Sequence, residues 1–266
     1  MGQLYINNRA VTPIITKTKE VAKTKFGATV DLFLGDVDAN GNYVAPNEPF
    51  EVNLAGVKSL PDSVFNRRFF AAPIKKFIAN DLVYVGKEAM DFGAYTSKVE
   101  EVRIDSLETM ESNYAFNYAF GYCSYLKKAS FAKLKRVSGT RALNGCFVDV
   151  ILDVEDVFPS LEEVTGMNSL ENVVKIYDDC ILNYLTIKKI TGGTATYSSI
   201  FGAADNKKNT VWNFPSATEF TGYIWNVSAS YPGEIHFAAA NQAAIEACEG
   251  YDYKWGFAGA TIYFDL

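Results

Sequence analysis

The sequence predicts a β-rich solenoid of about seven irregular rungs, with an N-terminal β segment and a C-terminal cap made of a short helix and a strand. Three observations predict it. An apolar motif recurs along the chain at a nearly constant interval. Aromatic residues are in excess, with 19 Phe and 16 Tyr, which suits large side chains on pleated, half-buried surfaces. No single stretch reads as a self-contained domain, although 266 residues suffice to bury a sizeable core.

The repeat is aligned on one apolar residue per unit: Val57, Leu82, Leu107, Leu134, Leu161, Ile187 and Ala217, at intervals of 25, 25, 27, 27, 26 and 30. Three residues before each anchor stand Leu54, Ala79, Ile104, Phe131, Phe158, Tyr184 and Phe214. Three residues after it stand Leu60, Val85, Met110, Val137, Val164, Ile190 and Phe220. The interval falls in the range of leucine-rich repeats. A short strand with alternate side chains pointing inward supplies one wall of each rung. A corner and apolar residues three apart turn the chain back. Gly139, Gly166, Gly192 and Gly222, five residues past their anchors, are expected to take a positive φ at a second corner. The remaining stretch, such as YAFNYAFGYCSYLKK, forms the opposite wall. Each rung leaves its faces bare, so only stacking completes the core. Tyr114, Phe116, Phe120 and Tyr122 are expected to stack on equivalents such as Phe69 and Phe70; a carbohydrate-binding platform is the alternative use of such a stripe.

Residues 1–48 are set apart as an attachment or cap segment, 49–235 as the solenoid and 236–266 as the C-terminal cap. LYINNRAVTPIIT alternates like strands about a turn at Asn7-Asn8. Asp36, Asp38, Asn40 and Gly41 match the opening of a calcium-binding loop, but the twelfth position, which should carry a bidentate Glu, is Asn47, with Glu48 one place late. A hairpin turn on Asn40-Gly41 explains the same residues. In the 153–180 unit, Asp153 and Asp156 stand at usually apolar places. SSIFGAADNKKNT is expected to loop out of the longest unit. Residues 240–249 read as a short helix with Asn241 as its cap, and GATIYFDL as a closing strand.

The phrase AFGYCSYLKKASFAKLKRVSG, echoed by FPSLEEVTG and NFPSATEFTG, resembles the BspA-like leucine-rich repeat, over roughly residues 50–235. A narrower resemblance lies at the ends. GDVDANG and HFAAANQAAIEA…KWGFAGATIYFDL look like the bookends of leucine-rich proteins carried by bacteriophages and prophages of gut bacteria. That resemblance implies a virion structural protein on the exterior of the capsid or tail, as decoration, fibre or adaptor. Its implied partners are other virion proteins, copies of itself, and host-surface protein or glycan. The alternative it leaves open is a bacterial BspA-like surface adhesin.

Charge and motifs bound the rest. A net charge of −6 gives no footprint for nucleic acid and no polybasic face for acidic lipid. No run approaches the ~18 apolar residues of a membrane span. The N-terminus lacks the roughly 7–15-residue apolar core of a secretory signal, so the expected setting is a virion assembled in a host cytoplasm. Cys123, Cys146, Cys180 and Cys248 form no C-x-x-C pair and read as reduced, buried thiols. The sole histidine, His236, reads as a satisfied strand residue. Glu162-Glu163, placed on an exposed turn, and Asp178-Asp179 do not define a glycosidase cleft. The expectation is therefore a non-enzymatic protein with no catalytic, metal or cofactor-binding residues. Lys133, Lys135 and Arg136, outward residues between the apolar columns, are the candidate contact surface.

Overall fold

In the computed structural model of the chain, the described residues are 5–6, 9–10, 49–177, 179–195, 199–201, 210–225, 233–249, 251 and 260–266. The Asp36–Asp38–Asn40 loop and most of the 1–48 segment lie outside them. The N-terminal segment contributes β1 (Tyr5–Ile6) and β2 (Arg9–Ala10), an antiparallel pair.

Seven rungs follow, each written as a wall-one element and a wall-two element. The first three are β3 (Phe50–Asn53) and β4 (Ser59–Leu60), β5 (Ile74–Ile78) and β6 (Tyr84–Val85), and β7 (Glu101–Arg103) and β8 (Thr109–Met110). The fourth is β9 (Lys128–Ser130) and β10 (Arg136–Val137), and the fifth α1 (Val154–Val157) and β11 (Glu163–Val164). The last two are β12 (Ile181–Asn183) and β13 (Lys189–Thr191), then β14 (Val211–Phe214) and β15 (Glu219–Thr221). The cap adds β16 (Glu234–Phe237), α2 (Gln242–Glu246) and β17 (Thr261–Phe264). Between rungs the strands pair in parallel, in a register that keeps the aligned columns together. Val137 faces both Met110 and Val164, and Ile190 faces both Val164 and Phe220.

Every residue of the three aligned columns is at most 4% exposed. Strands of two to five residues cannot stand alone, so the stack is held by what the rungs bury against one another. Inward aromatic rings run through it as a ladder. Phe120 lies 5.5 Å from Phe77 and 5.8 Å from Phe147; Phe131 lies 5.5 Å from both Phe116 and Phe158. Past Tyr184 the ladder resumes through Phe214, Phe237 and Phe264. Offset and edge-on pairs of this kind add about 0.5–1.5 kcal/mol each beyond area burial.

The first wall is interrupted once. Its strands run β2-β1-β3-β5-β7-β9 and then, as a separate sheet, β12-β14-β16-β17. In the fifth rung the helical turn α1 stands where a strand would be, and the Phe131 N–H donates to the Val157 carbonyl at 2.8 Å. Asp153 and Asp156 account for this. A central strand there would need apolar residues facing in, whereas the helical turn buries Val154 and Val157 and leaves both carboxylates in solvent.

Four expectations are corrected. Of the four corner glycines only Gly222 has a positive φ, +71°. Gly139, Gly166 and Gly192 are required by close approach instead: a Cβ on them would lie 2.2 Å from the Ser112 carbonyl oxygen, 2.2 Å from that of Gly139 and 1.9 Å from that of Tyr223, respectively. Ile200 and Phe201, assigned to a looped-out segment, are core residues. Glu163 lies on β11 rather than on a turn. The C-terminal helical segment, a 3-10 turn over Ala239–Asn241 running into α2, stops at Glu246 rather than at 249. Asn241 stands at the N-cap position of α2 as expected but makes no side-chain capping bond; its Nδ2 donates to the Pro215 carbonyl at 3.2 Å.

Candidate functional site

The stretch from the second-wall strand of one rung to the first-wall strand of the next, residues 61–73 in the first rung, forms a third wall that is neither strand nor helix, and its local geometry decides what the solenoid shows to solvent. Every fourth residue has a positive φ: Ser63, Arg67 and Ala71 in the first rung, Glu88, Phe92 and Thr96 in the second, Tyr114, Tyr118 and Tyr122 in the third, and Arg141, Gly145 and Asp149 in the fourth. Alternate N–H groups along the wall donate to the next rung. In the first rung Ser63, Phe65, Arg67, Phe69 and Ala71 donate to Lys87, Ala89, Asp91, Gly93 and Tyr95 at 2.7–3.0 Å. Intervening N–H groups close local turns, as Asn66 does on the Ser63 carbonyl. A left-handed residue costs ~1–2 kcal/mol, and the inter-rung bond its own N–H makes offsets that cost.

The four-residue period sorts side chains. In the third rung each tetrad reads outward, small, large and inward, then a rim position. Tyr114-Ala115-Phe116-Asn117 and Tyr118-Ala119-Phe120-Gly121 are two consecutive copies. Phe116 and Phe120 are fully buried, whereas Tyr122, in the outward position, is 47% exposed. The expected stripe of Tyr114, Phe116, Phe120 and Tyr122 therefore divides. Its phenylalanines belong to the core and its tyrosines to the outer surface. Phe69 and Phe70 divide the same way.

On the outer surface the rings overlap like shingles. Phe92 stacks on Tyr118 at 4.9 Å with 7° between planes, and Tyr118 lies against Gly145, whose added Cβ would sit 2.6 Å from the ring. One column over, Phe70 stacks on Tyr95 at 5.4 Å, and Tyr95 lies against Gly121. Tyr122 closes the patch, edge-on to Tyr95 at 5.3 Å. Arg67 covers Phe92 at 5.3 Å, and Arg141 stands 5.9 Å from the centre of Tyr114. Partial burial pushes the Tyr95 and Tyr118 phenols above their ordinary range, so both stay protonated donors at neutral pH.

Next to the Phe92–Tyr118 column, on the side away from Phe70 and Tyr95, runs a polar row, Asn66, Asp91, Asn117 and Asn144. The Asn117 Nδ2 donates to Asp91 at 2.7 Å, and no described residue donates to the buried Asn117 Oδ1. Burial raises the Asp91 pKa, opposed by the Asn117 bond.

The residues singled out in the sequence lie elsewhere. Lys133, Lys135 and Arg136 are exposed on and beside β10, in the second wall. Their rung-to-rung neighbours alternate in sign. Lys135 approaches Glu108 at 3.4 Å, Glu162 approaches Lys188 at 3.2 Å, and Arg136 pairs in register with Glu163. A cluster that is basic along the chain becomes a mixed-charge ladder in space, worth little per exposed pair.

Two further places hold polar groups. Beside α1 a cleft of about 340 Å³ is lined by Lys127, Lys128, Asp153 and Asp156 among others. On β16, His236 is held between Asp265 at 2.7 Å and Glu234 at 3.2 Å, with its ring stacked on Tyr263 at 4.7 Å. Among the described residues no group of three or more His, Cys, Asp or Glu side chains is placed to hold a metal ion, and no helix is long and apolar enough to cross a membrane. The cysteines are free thiols, three buried and Cys248 half-buried. No family model, no curated protein and no solved structure matches the chain.

Proposed function

We propose that this chain is a non-enzymatic structural protein of a bacteriophage particle, on the outside of the capsid or tail, whose solenoid displays a surface for protein or glycan contact. The observation that supports it best is the outer aromatic face of the third wall. Its rings span the first three rungs and lie against a fourth, on a backbone tied rung to rung by hydrogen bonds. Such a surface is preorganised for contact: the rings are already ordered, so little side-chain entropy is lost on binding. The likeness of the chain's two ends to phage-borne leucine-rich proteins supports the setting. Its partners are then other virion proteins and further copies of itself.

The test is the protein composition of purified particles from the source of the sequence. Peptides of this chain should appear in their mass spectrum in many copies per particle, and immunogold label against it should decorate the particle exterior. Particles that carry none of it would overturn the virion reading. Detection on the bacterial surface instead would favour an adhesin.

A further inference from the structure

We infer that the shingled aromatic face of the third wall is a carbohydrate-binding site, and that it takes a neutral polysaccharide chain lying along the solenoid axis. The inference deepens the display role proposed above and rests on it.

Three features carry it. The first is ring supply. Phe70 and Tyr122 are 49% and 47% exposed, on either side of the half-buried Tyr95, which touches both. The apolar C–H face of a pyranose packs on such rings. The second is spacing. Ring centres follow one another at 5.4 and 5.3 Å from rung to rung, close to the length of one sugar unit, so successive sugars of an extended chain meet successive rings. The third is the pair of phenol hydroxyls that Tyr95 and Tyr122 carry on these same rings. Sugar hydroxyls donate as well as accept, and a phenol hydroxyl can pair with either. A few placed polar groups beside apolar rings are what fixes orientation in a ligand site.

The chemistry also selects the class of glycan. Arg67 lies over Phe92 and Arg141 beside Tyr114, while Glu88 and Asp91 stand in the same rows. The charges balance, so no excess of cations is present to draw a polyanionic glycan. Gly121 and Gly145 leave room for the Tyr95 and Tyr118 rings, because any side chain there would meet them.

The test uses the whole chain against a printed array of neutral and sulfated glycans, followed by calorimetry with neutral hexasaccharides of glucose, N-acetylglucosamine and mannose. Binding of a neutral chain is expected, and Tyr122→Ala and Phe70→Ala should each weaken it at least fivefold. Tyr122→Phe, which keeps the ring face, should stay within threefold. Lys135→Ala, on the second wall, should change nothing. Thermal melts of the two alanine variants within 2 °C of the parent, roughly the scale of half a kcal/mol, exclude misfolding. Absence of binding to every neutral glycan, preference for the sulfated ones, or neutral binding unaffected by both alanine variants would overturn the inference. So would self-association through this face in sedimentation that is abolished by Tyr122→Ala. None of these outcomes bears on whether purified particles contain the protein, so this inference and the virion reading fail separately.

Discussion

Replacing Gly166 by Ala tests whether the corner glycines serve close approach rather than turn geometry. The φ of Gly166 is not positive, so alanine meets no left-handed strain there. Its Cβ would instead lie 2.2 Å from the Gly139 carbonyl oxygen, 1.2 Å short of the 3.4 Å at which ordinary contact begins. The obstacle is backbone, so no rotamer change relieves it. The fourth and fifth rungs must part, and beside this point they are joined by the bond from the Thr165 N–H to the Val137 carbonyl at 2.9 Å. Adding about 1 Å takes that bond beyond useful length. A lost inter-rung bond costs roughly 1–3 kcal/mol, and overpacking typically adds about 1–3 kcal/mol. The expected loss is therefore about 3 kcal/mol, read as a lower urea midpoint at constant slope. On a chain of this size that corresponds to roughly 6–12 °C in melting temperature. Ser138→Ala, at an exposed position in the same corner, should stay within about 0.5 kcal/mol. A Gly166→Ala loss below about 1 kcal/mol would refute the close-approach account. The boundary chosen is also the one where α1 replaces a strand on the opposite wall, so a variant that unfolds in two steps would locate the weak joint of the array there.

Thr96 is an exposed β-branched residue at φ +56°; Thr96→Gly should raise stability by about 1 kcal/mol, the strain of a left-handed residue less the entropy glycine adds to the unfolded chain, and an unchanged or lower urea midpoint would count against it. Burial raises the Asp91 pKa above its ordinary 3.8, so the folded state holds that proton more tightly than the unfolded one, and the stability this confers is present below pH 3.8 and lost as pH rises through the folded value. Asp91→Asn keeps an acceptor for Asn117 and removes the charge; its melting temperature should exceed the parent's at pH 7, with the gap closing toward pH 3.8, and a gap independent of pH would contradict the assignment. Burial pushes the Cys123 thiol up to about 11 and that of Cys146 well above its ordinary range; iodoacetamide at pH 8 should therefore label the half-buried Cys248 first, and peptide mapping that finds Cys146 labelled at a comparable rate in the native protein would show the fourth rung to be open.

The core was legible because its signal is redundant. Leu134, Phe131 and Val137 recur as types in every unit, and parallel pairing in register carries each column intact from rung to rung, so an alignment made on the sequence lands on the structure. The corner glycines were visible as a column, but the sequence does not say whether a glycine is there for its φ or for the neighbour it lets in; in one column Gly139 serves close approach alone, whereas Gly222 combines close approach with a positive φ. The outer surface was hardest to read. Lys133, Lys135 and Arg136 cluster along the chain, but a solenoid places each residue beside others some 25 positions away, and there Glu108, Glu162 and Glu163 interleave with them. The aromatic face was hidden by a period of four, which matches neither the two of a strand nor the 3.6 of a helix. Tyr-Ala-Phe-Asn-Tyr-Ala-Phe-Gly-Tyr at 114–122 states that period openly, and aligning tetrads within rungs would have separated the outer tyrosines from the inner phenylalanines.

The tetrad also gives the third wall a direction. In each of the first four rungs the alternate N–H groups donate toward the C-terminal end, so the bonded peptide dipoles align along the solenoid axis as they do within a helix. At the first rung the matching carbonyls face outward along that axis; no described residue donates to those of Val64, Asn66 or Arg68. The carbonyl end of an aligned array favours cations and the N–H end anions. Arg67 and Arg68 stand in the first rung, which is the favourable placement at the carbonyl end. Left-handed residues, otherwise a scattered local strain, are thus the device that turns alternate N–H groups onto one axis. That device explains why aromatic and charged residues without any intrinsic preference for positive φ are found there: the side chain is chosen for the outer face, and the backbone bond to the next rung makes the conformation tolerable.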